Sequence, residues 1–546
     1  MANKKFSEFT VKTSTSDVDF VVGYDGTDNV RITPANLTGG GGASSLNGLS
    51  DCLVDTDSLY VGEVPAGLSG NPQDNTILGI RAGDSLTSGD SNTLIGNNAG
   101  DSITTGTNST AIGQNALSSL LTGGNNVAIG QRAYSSGTAS NNVYIGNDAG
   151  TSANSGIYQI GIGVAAGNSN TGSNSIGIGW FANRNNSASG TISIGHQAGF
   201  SNTSGSNNTN VGFEAGYSNT TGAFRTMLGY QSGKSQTGGA NTFIGSLAGG
   251  SRSGSGTQNV AIGNNALRYL ENADNTAIGS SAGQYADSTS SKNVMIGSQA
   301  MAGAFGSKSN NVAVGYKSGF AVTTGGDNTL MGYEAGVRIV GGGTNTCVGK
   351  SSGYYITSGT GNVTLGYQAG QSIGAGTNNV AIGSSTDGTI NGTNTVVIGY
   401  QATSSIANAS NQVTLGNSSI STLRCAVTSI TSLSDERDKS EIKDLEYGLA
   451  FVDALQPREF VWDNRVETKV EFDEDGNETQ VEFYSANKGK KDFGFIAQEV
   501  RELDNDTLRL VYSENEDKLE LSYGKLVPIL VKAIQELKEE VELLKS

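Results

Sequence analysis

From Asn75 to Leu415 the apolar residues fall in short bursts, each ending on a glycine and followed by a polar stretch. The core pattern is Asn-x-x-Ile-Gly-x-x-Ala-Gly, and its anchor glycine recurs from Gly79 to Gly416 in 20 intervals of 16 to 18 residues. A period kept over 21 copies predicts a solenoid, each repeat being one coil stacked on the last. An apolar residue precedes every anchor glycine, as in Leu78, Ile95, Ile112, Ile129 and Ile145, and predicts one inward side chain per coil. Three residues after the glycine stands Ala in 16 copies and Ser or Thr in the other five, which predicts a second, narrow inward position. Asparagine lies four residues before the glycine in 14 copies, among them Asn75, Asn92, Asn241 and Asn362. Asn tolerates left-handed backbone and bonds its own turn, so it predicts a corner, with ladders where asparagines stack. No proline falls between Asn75 and Leu433, as continuous backbone ladders require. Coils stacked at about 4.8 Å predict a rod of about 95 Å.

The pattern differs on either side. Residues 1–42 alternate at Phe6, Phe9 and Val11 and again at Val18, Phe20 and Val22, turn at Tyr24-Asp25-Gly26-Thr27-Asp28, and end in a glycine linker. Residues 43–74, with Leu46, Leu49, Leu53, Leu59 and Val61, read as a capping segment. Beyond Leu433 the periods are those of an α+β domain. A helix is expected from Ile442 to Leu455, a strand over 458–462, and a charged hairpin over 467–483 turning at Asp475-Gly476-Asn477. A further helix is expected after Phe495, and a last one with Val527, Leu530, Ile534, Leu537, Val541 and Leu544 in a coiled-coil seam. That helix is too short to be stable alone, which predicts that three copies zip together.

Composition sharpens the boundary. Residues 434–546 hold 29 acidic and 16 basic side chains, against 21 and 17 in the preceding 433 residues. So 13 of the 17 excess negative charges lie in the last fifth of the chain, whereas only 5 of the 79 glycines do. Two physically different units are joined at residue 434. The acidic balance argues against a nucleic-acid partner. No apolar run is long enough to span a bilayer, and the N-terminus does not read as a signal peptide. Cys52, Cys347 and Cys425 have neither metal-ligand nor disulfide spacing, so no metal or cofactor is expected. The single histidine, His196, follows a repeat glycine and reads as a solvated turn residue, which removes histidine-based catalysis.

The repeats, closest in form at Asn126–Gly130, Asn259–Gly263 and Asn379–Gly383, resemble the head repeats of trimeric autotransporter adhesins. That resemblance implies a parallel β-roll in a homotrimer, although the family's signal peptide and membrane barrel are not present. A calcium-binding β-roll would need recurring aspartates that the repeats lack, and an ice-binding solenoid a regular threonine array. The N-terminal segment, closing at Thr33-Pro34-Ala35-Asn36-Leu37, resembles the attachment segments of phage tail fibres.

The residues Ser434-Asp435-Glu436-Arg437-Asp438-Lys439, Glu441-Ile442, Gly494–Val500 and Leu521-Ser522-Tyr523 resemble the endosialidase-type C-terminal intramolecular chaperone of phage tail fibres and tailspikes. By that family's pattern Ser434 is a nucleophile, Lys439 its partner in a Ser-Lys dyad, and Leu433–Ser434 the bond that is cut. The chemistry is reasonable in itself. A serine hydroxyl needs a base, and without a suitable histidine a lysine must serve, provided burial lowers its pKa.

The expected molecule is therefore mainly β: a homotrimeric parallel β-roll fibre over 75–433, then an α+β chaperone over 434–546 that cuts itself off. It is expected in the virion after assembly in the host cytoplasm. The N-terminus would dock to a tail or baseplate protein, and the fibre would contact a host-surface glycan or protein, without membrane insertion. The alternative is a tailspike depolymerase, but that needs paired carboxylates in a groove, and the repeats carry only scattered Asp and Glu.

Overall fold

The fold comes from a computed structural model. It describes residues 20–24, 29–32, 52–55, 57–62, 65–153, 155–250, 252–287, 289–387, 391–406, 408–420, 422–424, 426, 434–463, 467–472, 478–483, 488–504, 507–513 and 515–546. The chain forms two compact units, Met1–Ser307 and Lys308–Ser546.

In the first unit Phe20–Tyr24 pairs antiparallel with Asn29–Ile32. The expected alternation before Phe20 and the turn 25–28 lie outside the described residues. A second hairpin, Cys52–Asp55 with Ser58–Gly62, enters the solenoid because its second strand pairs in parallel with Thr76–Gly79. From there three-residue strands stack in parallel and in register, as in Thr110↔Val127, Ala111↔Ala128 and Ile112↔Ile129. The ladder continues through Val294–Ile296. The second unit repeats it from Val312–Val314 to Val413–Leu415. Its close stacking is possible because the anchor position lacks a Cβ. Gly113 has φ +132°, and a Cβ on it would stand 2.5 Å from the Gly130 carbonyl oxygen of the next coil.

The strand interior differs from the sequence expectation in one respect. The residue before the anchor glycine does not point inward. Leu228, Ile278 and Met331 are 45%, 37% and 43% exposed, whereas their neighbours Met227, Ala277 and Leu330 are fully buried. Side chains alternate along a strand, so the two outer residues of each triplet share the outward face and only the middle one enters the coil. The alanine row is inward as expected: Ala99, Ala116 and Ala133 are buried, in one cluster with Leu86, Ile103 and Leu120. The inner middle row varies from Leu94 to Ala111 to Tyr144, and the outer row is nearly constant. Constancy therefore marks the outside of the single coil.

The asparagine row forms the expected ladder. Asn92 donates its backbone N–H and its Nδ2 to Asn75 Oδ1 at 3.0 and 3.1 Å, and Nδ2 also reaches the Gly106 carbonyl. In the second unit Asn328, Asn345, Asn362 and Asn379 hand on the same pair of bonds. Each buried bond contributes about 1 kcal/mol, and an unmade one costs more.

Between Gly161 and Asn219 the coil is turned inside out. The middle strand position holds Gly161, Gly177, Ser193 and Asn210, all buried. A second interior asparagine row runs from Asn170 through Asn186 and Asn202 to Asn219. The large apolar groups lie outside, where Trp180, His196, Phe213 and Tyr230 stack with centroids 4.6, 4.7 and 5.5 Å apart. His196 is thus half-buried between two rings rather than solvated. Its place one coil-spacing from Trp180 and Phe213 is what shields it.

In the second unit the α+β part packs Phe451, Leu455, Val500, Leu510, Val511, Leu526 and Ile529 into one core. Helix α1 is Leu449–Ala454, shorter than expected, because Gly448 begins it and residues 441–448 are not helical. Its first N–H, on Leu449, donates to Glu536 Oε2 at 2.6 Å, so a carboxylate caps the positive end of the helix. Arg458–Val461 pairs antiparallel with Lys491–Gly494, and Glu467–Phe472 with Glu478–Phe483; the turn 475–477 lies outside the described residues. Helices α2, Ala497–Asp504, and α3, Leu526–Lys545, follow. Helix α3 has two apolar faces. Leu526, Ile529 and Ala533 are buried in the domain, whereas the seam residues Val527, Leu530, Ile534, Leu537, Val541 and Leu544 are exposed. Among the described residues no helix is long and apolar enough to cross a membrane.

Candidate autoproteolytic site

The residues at the composition boundary form one short turn. Residues five apart in an α-helix would point about 140° away from each other, so Ser434 and Lys439 could not meet on one. Instead Glu436–Asp438 is a single 3-10 turn with extended residues at both ends, Asp435 at φ −71°, ψ 135° and Lys439 at φ −124°, ψ 143°. This brings Lys439 Nζ to 2.6 Å from Ser434 Oγ and 3.2 Å from the Ser434 carbonyl oxygen. The two residues singled out in the sequence are therefore in hydrogen-bond contact. Leu433, on the other side of the expected cut, lies outside the described residues.

Asp435 and Arg437 hold the turn. Asp435 Oδ1 accepts the Arg437 backbone N–H at 2.9 Å and Nε–H at 3.0 Å, while Oδ2 accepts from Nη2 at 2.6 Å. The Arg437 side chain, and then its backbone N–H, holds the Asp435 carboxyl below its usual range. The turn closes when the Lys439 N–H donates to the Glu436 carbonyl. Sequence reading included Asp435 and Arg437 in a motif but gave them no role; the Asx-type start of a turn at Asp435 was the available signal.

Ser434 and Lys439 are both exposed in the single chain. Among the described residues nothing covers the Lys439 side chain. The geometry supplies contact between the Ser434 hydroxyl and the Lys439 amine but no burial of either. Among the described residues no group of three or more His, Cys, Asp or Glu is placed to hold a metal.

Residues 434–509 match the family model of the chaperone of endosialidase. The match begins at Ser434 and takes in the turn, α1, the paired strands and α2; α3 lies beyond it. Comparison with curated proteins and with solved structures gave no match. The chaperone match and the parallel solenoid upstream of it together fit a tail-fibre or endosialidase-like protein. Within the matched segment the turn of residues 434–439 stands at the N-terminal edge, where the sequence changes from nearly uncharged to acidic.

Proposed function

We propose that the protein is a phage tail fibre built as a homotrimer, whose C-terminal domain drives assembly and then cuts itself away between Leu433 and Ser434. In this reading residues 1–42 attach to a tail or baseplate protein and 43–74 cap the fibre. Residues 75–433 are the fibre that meets a host receptor, and 434–546 are the chaperone. The observation that carries it is the 2.6 Å contact of Ser434 Oγ with Lys439 Nζ at the first residues of the chaperone match.

The cut follows from connectivity. Ser434 supplies the nitrogen of the Leu433–Ser434 bond, so its Oγ reaches the Leu433 carbonyl carbon through a five-membered ring. Neutral Lys439 Nζ takes the Oγ proton, Oγ bonds to that carbon, and the carbon–nitrogen bond breaks as the nitrogen takes the proton back. The ester so formed is hydrolysed by water to a Leu433 carboxylate and the free Ser434 hydroxyl. Burial lowers a lysine pKa. Close approach of three copies would supply that burial, so cutting waits for assembly.

Two unpartnered faces support the trimer. One is the outward row of Leu228, Ile278, Met331 and their equivalents, and the other is the exposed α3 seam. A flat apolar sheet face is an aggregation hazard unless it is covered. The test is the mass of the purified polypeptide. Fragments of 433 and 113 residues are expected from the wild type, and an intact chain from Ser434→Ala and Lys439→Ala. An intact wild-type chain in a folded trimer would end the dyad reading.

A further inference from the structure

We infer that Asp435 is a positioning residue for self-cleavage, which fixes the turn that brings Lys439 onto Ser434. The inference rests on the dyad reading above. Asp435 neither carries the nucleophile nor touches the base in this arrangement. It starts the 3-10 turn by accepting the Arg437 N–H, and both its oxygens grip the Arg437 side chain. The two reacting side chains are five residues apart, and no other described element holds that loop: none of Glu436, Arg437 and Asp438 is buried. An exposed ion pair ordinarily contributes little to stability. Here the pair spans only two residues and sits inside the loop whose closure defines the reacting distance. Its consequence falls on the geometry of the reaction, where misplacement of about 1 Å is worth on the order of 100-fold in rate.

The residue types fit this role. Asn at 435 could still accept the Arg437 N–H, as an N-cap does, but would lose the two-oxygen grip on the guanidinium. Ala would lose both. Arg437→Ala removes the same grip from the other side. A clamp therefore predicts graded losses with a non-additive double variant.

The experiment uses the full chain made by cell-free translation, sampled over time on denaturing and native gels. The 113-residue fragment reports cleavage and the native band reports trimer. Asp435→Ala is expected to form trimer as the wild type does and to release the fragment roughly 10- to 100-fold more slowly. Asp435→Asn and Arg437→Ala should fall between the two, and the double variant Asp435→Ala, Arg437→Ala should be no slower than Asp435→Ala alone. Rate against pH should keep the wild-type midpoint in the slow variants, because the clamp sets a distance and takes no proton in the reaction.

Wild-type rates in Asp435→Ala trimers, additive losses, or a displaced midpoint would each overturn the assignment. If Asp435→Ala does not assemble, the same comparison made with Asp435→Asn decides it. The dyad reading fails separately, by an intact wild type or by cleavage of Ser434→Ala.

Discussion

Arg225 interrupts the asparagine row with a side chain that brings a charge and no acceptor. Its backbone N–H still donates to Asn208 Oδ1 at 3.0 Å, but its side chain has no oxygen to accept from the next coil. The guanidinium is buried, reaches the Gly233 carbonyl at 3.4 Å, and leaves Nε and Nη1 without partners. Burial pulls its pKa down to about 10, so it remains a cation at neutral pH. A buried charge without a counter-charge costs more than the neutral group that would fit. Arg225→Asn restores the row and should raise stability by about 1–3 kcal/mol, read as a higher denaturant midpoint. A lower midpoint would mean that the guanidinium acquires a partner in the assembled protein. Ser434 and Lys439 present the opposite problem at this scale, since their contact is made but their burial is not.

Each strand triplet sorts its residues between the inside and the outside of its coil. The middle residue fills its own coil, and the outer two face away from it. Ala277→Leu would overfill the coil and should destabilise by about 1–3 kcal/mol. Ile278→Asp leaves the coil interior untouched and is expected to abolish trimer and fragment release together, read on native and denaturing gels. Tolerance of Ile278→Asp would show that this face has no partner. The distinction was not legible in the sequence. Period and pairing were, because Gly113 and its equivalents mark every coil. A nearly constant apolar row reads as core, however, and this misplaced Ile112 and Ile278. The α1 boundary was missed for a related reason: Leu445 and Leu449 have helical spacing, but Glu536, a residue far along the sequence, fixes where the helix begins. The Ser434–Lys439 contact was anticipated by resemblance, and the turn that makes it rests on Asp435, whose partner lies only two residues away.

Along the chain the repeats give way to the matched chaperone segment at residue 434. Parallel register between near-identical coils is weakly specified by the coils themselves, so a distinct terminal domain is the natural place to set it. Removing residues 345–361, one full coil, sets the Asn328 coil against that of Asn362. It preserves the Oδ1 hand-over, since Asn345 and Asn362 occupy equivalent places. The shortened chain is expected to fold, assemble and release its fragment. Removing only about eight of those residues would put polar turn residues into the ladder, and release should fail. Equal tolerance of both deletions, seen by electron microscopy and on gels, would contradict a stacked solenoid. The glycine contact described at Gly113 carries this into heredity. The anchor glycine is alike in every coil, so coils whose interiors also match, such as those of Asn328, Asn345 and Asn362, can follow one another. Misaligned recombination between such matching coils would then add or delete whole coils without creating an unfamiliar junction. The length of the repeat region becomes a trait that can vary between lineages by counting.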